Sequence, residues 1–255
     1  RGTHRKLNQA HRVLSNRLVY ARKMGRRESA RQLRKQLNRL PSRDTQDPHY
    51  RRLRYIRYAD DVLLGFSGPR VEAEAIKQQL ATFLREQLKL ELSEQKTLLT
   101  HGRTAAARFL GYEITVLGGE SLRAKNGRRI NGHIGLRVPV DVIKEKCQSF
   151  IKHGTVMHRA ELTSNSSYSI VAQYQQQYRG TVQYYQLADN LHRFRRLKWA
   201  MEQSLTKTLA HKLRVSVPKV YQRFGAQLET PEGRYKGLLV KVERAGKAPL
   251  VAQWG

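Results

Sequence analysis

The sequence predicts an α+β fold, with a β-hairpin, a long helix and further strands first and an all-helical region after them. Three observations carry this. The run Tyr55-Ile56-Arg57-Tyr58 leads into Ala59-Asp60-Asp61, and Val62-Leu63-Leu64-Gly65-Phe66 leaves it; two apolar runs around a short polar step read as a hairpin with Ala59 and Asp60 in its turn. Val71, Ile76, Leu80, Phe83, Leu84 and Leu88 then recur at three- and four-residue steps, so 70–88 reads as an amphipathic helix packed on the sheet. From 117 to 132 the chain is rich in Gly, Asn and Arg and lacks periodicity, and the domain boundary is placed there, between strand-like and helical sequence.

Composition limits the partners. With 255 residues and 39% apolar content the chain can bury real cores. A net charge of +29 is self-repulsive unless a polyanion offsets it. Nucleic acid is the first candidate, an anionic membrane surface a distant second. No apolar run approaches the roughly 20 residues that span a bilayer, and the N-terminus has no hydrophobic signal core, so no membrane partner and a soluble, intracellular protein are expected. Cys147 is the only cysteine, which rules out an intrachain disulfide and a thiolate metal cage and reads as a small buried apolar residue.

Taken in order, residues 1–57 hold 18 Lys and Arg against three acids, Glu28, Asp44 and Asp47. Leu14, Leu18, Met24, Leu33 and Leu37 at mixed helical spacing predict two helices with a turn near Gly25. Arg22, Lys23, Arg26 and Arg27 are candidates for phosphate contact there; the alternative is a solvated charged face. Pro41 to Pro48 reads as a loop. At the hairpin, neighbouring strand residues point to opposite faces, so adjacent aspartates share one cation only where the chain bends, as at a hairpin tip. A hard cation such as Mg2+ would offset their repulsion, whereas the plain alternative is an exposed polar turn.

Beyond the hairpin, Ser67-Gly68-Pro69 reads as a helix start with Pro69 in the first turn and Glu72 and Glu74 suited to the dipole. Leu90-Glu91-Leu92, Thr97 to Thr100 and Arg108 to Val116 are strand candidates. Val142, Ile143, Cys147, Phe150 and Ile151 predict a helix over 138–152 that Gly154 stops. Ser166 to Leu187 and Asn190 to Leu213 are longer helices meeting at Ala188-Asp189, with Asp189 or Asn190 as N-cap. In the second, Phe194, Leu197, Met201, Leu205 and Leu209 are expected inside and Arg195, Arg196 and Lys198 outward. With Arg193 and nearby Tyr and Gln side chains, these cations suit structured RNA. A short helix over 216–224 and a strand at Leu238 to Val242 complete the chain.

Tyr58-Ala59-Asp60-Asp61 in its apolar setting resembles the Tyr-x-Asp-Asp box of reverse transcriptases, and with Phe109-Leu110-Gly111-Tyr112-Glu113-Ile114 it resembles the group II intron-encoded enzymes. Tyr174 to Gly180, Tyr184 to Asn190 and Leu197 to Leu205 resemble the thumb and maturase region of that family, and the likeness runs to about Phe224. The resemblance implies a basic insertion over 1–50, the C-terminal half of a polymerase palm over 51–117, a helical thumb and maturase domain over 118–225, and the start of a DNA-binding region over 226–255. It implies Asp60 and Asp61 as catalytic Mg2+ ligands and Tyr58 beside the nascent base pair. Lys96 would meet the incoming triphosphate or protonate pyrophosphate, unless it is merely solvated. Phe109, Leu110 and Gly111 would support the primer end, or are plain core.

One departure limits this reading. A two-metal polymerase needs a further palm carboxylate, because two cations about 4 Å apart overcharge one Asp pair; the only upstream aspartates, Asp44 and Asp47, fall in a loop and not on an apolar strand. The chain is therefore read as a C-terminal portion whose missing fingers and palm segment, on the same chain or a partner, supplies that Asp, and which ends before any Cys- and His-bearing endonuclease. The expected function is RNA-directed DNA polymerase and splicing maturase, acting on intron RNA, a DNA target or primer and dNTPs in a cytoplasmic ribonucleoprotein, bacterial or organellar. The alternative is a non-catalytic RNA-binding maturase on a vestigial palm.

Overall fold

The computed structural model describes residues 4–44, 47–118, 132–230 and 233–255. The chain divides into two compact units, Arg1–Leu110 with Ile114–Gly135, and Gly111–Glu113 with Leu136–Gly255. The expected boundary loop falls largely on 119–131, outside the described residues.

In the first unit, α1 (Gln9–Lys23) starts where the Asn8 side chain accepts the His11 N–H. It ends at Gly25, whose left-handed φ of +69° turns the chain into α2 (Arg27–Leu37). The two predicted helices and their turn are thus present. Only Leu18 and Ala21 among their described residues are buried. The ends of this pair are tied to the following loop: Asp47 accepts the N–H groups of Lys6 at 2.8 Å and His49 at 3.0 Å, and Leu7 bridges Arg43.

The next two strands, β1 (Arg52–Tyr58) and β2 (Asp61–Ser67), pair antiparallel in unbroken register from Arg52↔Ser67 to Tyr58↔Asp61. That register leaves Ala59 and Asp60 as the two turn residues, as expected. In α3 (Arg70–Gln87), Pro69 is the N-cap, one place before the first turn where it was expected. Ile76, Leu80 and Leu84 are half-buried, but Val71, Phe83 and Leu88 stand exposed. The expected apolar stripe is therefore narrower than the sequence implied. Glu72 of α3 grips the Arg51 guanidinium in a two-pronged pair, at 2.6 and 3.0 Å.

Two of the expected short strands do not form. After α3, Lys89 turns left-handed at φ +54° and the Leu90 N–H donates back to the Leu84 carbonyl at 3.0 Å, so residues 88–90 close the helix instead. Thr97 folds onto the Ser93 carbonyl through both its N–H and its hydroxyl. The expected strand over 108–116 is two, β3 (Ala107–Phe109) and β4 (Tyr112–Val116), because Leu110 and Gly111 have positive φ of +48° and +71°. Two such residues in succession make a hairpin turn. With β5 (Ile134–Arg137) these strands form a sheet of order β3-β4-β5.

The second unit is built around one deeply buried helix. After α4 (Val140–Gln148), β6 (Ile151–Lys152) and β7 (Thr155–Val156) form a small hairpin. Gly154, at φ +74° beside His153 at +49°, is its turn residue and not the helix stop, since α4 has already ended. In α5 (Ser167–Tyr184), the Ser166 hydroxyl caps the start by accepting the Ser169 N–H at 3.0 Å. A 3-10 turn over Leu191–Phe194 leads into α6 (Arg195–Leu213). Asn190 does not cap with its side chain. Its amide instead pairs with both backbone groups of Val138, accepting the N–H at 2.8 Å and donating to the C=O at 3.1 Å.

The helix α7 (Val217–Phe224) precedes β8 (Gly225–Thr230), β9 (Gly233–Arg244) and β10 (Lys247–Trp254), an antiparallel sheet of order β10-β9-β8. The region expected to be all helical thus carries β5, β6 and β7, and its C-terminal sheet joins the core. Phe194, Leu197, Met201, Leu205 and Leu209 are all at most 2% exposed, as predicted. Trp254 of β10 packs edge-on to Tyr174 of α5, centroids 6.4 Å apart. The Tyr174 hydroxyl meets Ser204 at 2.8 Å, and Ser204 donates to the Met157 carbonyl at 2.6 Å, so the buried polar atoms of α6 are paired. Cys147 is buried, which pushes its thiol pKa up. No described helix is long and apolar enough to cross a membrane.

Candidate functional site

The hairpin tip carries the chemistry the sequence singled out. Asp60 and Asp61 are adjacent and exposed, with Tyr58 facing Asp61 across the ribbon and itself 64% exposed. Ala59 holds a left-handed φ of +49°, which costs a residue with a β-carbon roughly 1 kcal/mol. The Arg57 Nε donates to the Ala59 carbonyl at 2.8 Å and so pins the strained turn. Backbone strain kept at a turn that Gly or Asn would relieve is the kind found at functional positions.

Among the described residues no group of three or more His, Cys, Asp or Glu could enclose a metal ion. Mg2+ is ordinarily held by one or two carboxylates together with waters and substrate phosphates. The exposed pair of hard oxygen donors suits such an open site and not a closed cage. Asp47, one of the two upstream aspartates, spends its carboxylate on two backbone N–H groups, which hold its pKa below the usual range.

The remaining sequence candidates lie on other elements or the turns between them. Lys96 is exposed in the turn that Thr97 closes onto Ser93. Phe109 and Leu110 are half-buried, and Gly111 is exposed. A β-carbon on Gly111 would lie 3.2 Å from the Tyr185 hydroxyl and 3.4 Å from the Tyr184 ring, so the close approach that calls for glycine is already taken by tyrosines. Tyr184 is held in turn by stacking on Tyr112 and by the edge of Tyr185.

Cations gather at two helix ends. Arg22, Lys23, Arg26 and Arg27 are exposed on both sides of Gly25. Arg22 and Lys23 suit the negative end of α1, but Arg26 and Arg27 crowd the positive end of α2. The same inversion recurs at α6, where Arg193, Arg195 and Arg196 surround the start of a helix with no acid in its first turn. All three are exposed, whereas Lys198 is half-buried with Nζ 5.6 Å above the Tyr235 ring. The sequence reading gave no role to Trp199, which is 56% exposed. Helical spacing could have singled it out, since it lies about 200° around α6 from the buried Leu197 and Met201.

The sequence is similar to those of known proteins. Residues 131–244 match the type II intron maturase family. The group II intron-encoded protein LtrA of Lactococcus lactis subsp. cremoris is 32% identical over 200 residues, covering 73% of this chain and 33% of LtrA. The COX1/OXI3 intron 1 protein of Saccharomyces cerevisiae is 32% identical over 207 residues, covering 73% of the chain and 24% of that protein. The yeast intron 2 protein is 28% identical over 204 residues, with 74% and 24% covered. The match thus takes in about a third of LtrA and a quarter of the yeast proteins. Over residues 131–244 the chain is thus similar to the type II intron maturase family, and over its matched stretch to intron-encoded proteins such as LtrA.

Proposed function

We propose that the chain serves as the maturase and later palm portion of a protein that binds intron RNA, promotes its splicing and copies RNA into DNA. The observation that carries the polymerase part is the exposed Asp60-Asp61 pair at the pinned tip of β1 and β2. Asp60 and Asp61 would hold Mg2+, and Tyr58 would pack beside the nascent base pair. When bound, Mg2+ supplies the charge that activates a primer hydroxyl and stabilises the leaving pyrophosphate. Lys96 would contribute a cation toward the triphosphate, and the Phe109-Leu110-Gly111 turn would back the primer strand.

A further carboxylate is required on a strand next to this ribbon. Tyr55 and Ile56, 61% and 56% exposed, leave both faces of β1 open to a covering element, and a fingers and palm segment carrying that Asp would cover them. The maturase part rests on the family and on the basic helix starts at α2 and α6, whose cations are better placed for RNA phosphates than for their own helix dipoles. The assembly would be a ribonucleoprotein with a DNA primer and dNTPs as further substrates.

The second reading, a splicing factor with no polymerase activity, is favoured by the absence of a third acid at the tip among the described residues. Primer extension on an RNA template, with the full-length protein, separates the two. Asp60→Asn with Asp61→Asn should lower extension at least a hundredfold while intron RNA affinity stays within twofold. Extension that survives both substitutions would remove the metal role. No extension by the unaltered protein, with splicing intact, would leave the second reading.

A further inference from the structure

The exposed face of α6 and its neighbours differs from an ordinary charged helix surface by combining cations with displayed aromatic rings. Trp199 is 56% exposed and has Arg195 and Arg196 one turn before it, its neighbours on the helix surface. Beside it along the helix, Lys198 sits over the ring of Tyr235 on β9. One turn after Trp199, Glu202 accepts the hydroxyl of Tyr221 on α7 at 2.9 Å, and that ring remains 38% exposed. Burial and the Glu202 hydrogen bond push the Tyr221 pKa up to about 12, so the phenol stays neutral. Three elements thus present Trp199, Tyr221 and Tyr235 among Arg195, Arg196 and Lys198.

A large exposed ring is a cost in water unless something covers it, and the cations at the start of α6 oppose their own dipole. Duplex phosphates would satisfy the cations but leave the indole face idle. Unpaired nucleotides satisfy both, since every base offers a π face to stack on and every linkage a phosphate. We propose that Trp199 is a stacking platform for unpaired bases, with Arg195 and Arg196 holding the flanking phosphates. The maturase surface would therefore take single-stranded segments of its RNA in preference to helical ones. The inference rests on the RNA-binding reading above and refines it.

The protein carries its own probe. Of its two tryptophans, Trp254 is 1% exposed and Trp199 is displayed, so quenching of intrinsic fluorescence by RNA reports on Trp199. Titration of the whole chain with a single-stranded ribo-oligonucleotide should quench this emission, and an RNA duplex of equal length should do so far less. Trp199→Ala should weaken the single strand roughly tenfold and the duplex less than twofold, at unchanged thermal stability. Trp199→Phe should keep most of the affinity. Arg195→Ala with Arg196→Ala should weaken both RNAs and flatten the salt dependence.

Single-strand binding that leaves Trp199 emission unchanged, or a Trp199→Ala variant that loses duplex and single strand alike, overturns the proposal while RNA binding stands. If neither RNA binds, or binding ignores salt, the RNA-binding reading falls and takes this proposal with it.

Discussion

Leu197, Met201, Leu205 and Leu209 of α6 are sealed beneath α4, α5 and α7, while Leu53, Tyr55, Ile56 and Val62 of β1 and β2 stand in solvent. Hydrophobicity does not distinguish these two sets. The second unit has an element on more than one side of α6, so each apolar face finds a partner and its buried hydroxyls find acceptors. The ribbon of the first unit is a two-stranded sheet, which on its own is marginally stable and closes no core. One region is finished as a fold and the other displays a surface, and the displayed surface carries the two aspartates.

The sharpest way to break this contrast is to shorten one apolar side chain in each place. Leu205→Ala should cost about 3 kcal/mol, because the cavity it leaves is closed on all sides, whereas Ile56→Ala should change stability by no more than about 0.5 kcal/mol. Urea unfolding followed by circular dichroism reads both. Equal losses would mean that the ribbon is packed in solution. A smaller effect is expected from Asn190→Ala, which strands the buried N–H and C=O of Val138. About 2 kcal/mol should be lost, and urea unfolding of Asn190→Ser should recover part of it.

The mildest effect concerns acid. In the first unit the backbone N–H groups of Lys6 and His49 lower the Asp47 pKa, Lys6 having the larger effect. A folded pKa below the unfolded one stabilises fully above the unfolded value near 3.8 and is lost as pH falls through the folded one. Hydrogen exchange at the Lys6 amide should therefore lose protection below about pH 4, over and above the exchange chemistry of an unprotected amide. Asp47→Asn should flatten that response. In the second unit no such clasp holds α6, and its core amides should keep their protection over the same range.

Local signals accounted for much of this molecule. The turn at Ala59-Asp60, the bend at Gly25, the helix over α3 and the inward stripe of α6 follow from alternation, glycine and 3.6-residue spacing, which act within a few residues. The expectations that failed depended on partners distant in sequence or on backbone hydrogen bonds. Leu90 donates to Leu84 where a strand was expected, Leu110 accepts a left-handed φ, and the Asn190 amide turns to Val138, 52 residues away. The candidate site shows the same division. Asp60 and Asp61 were legible as a pair at a tip, but the tyrosines crowding Gly111 were not.

By itself the sequence determined the charge, the hairpin with its adjacent acids, the helical stripes and the likeness to intron-encoded proteins, because each is written in composition or short-range pattern. The tertiary structure decided which stripes are covered. It folded the last 30 residues into a sheet against the helices, left Trp199 uncovered among arginines, and kept the β1–β2 ribbon bare. The physical reason is that a side chain's hydrophobicity fixes how strongly it favours burial, whereas whether a neighbour arrives to bury it depends on residues far along the chain.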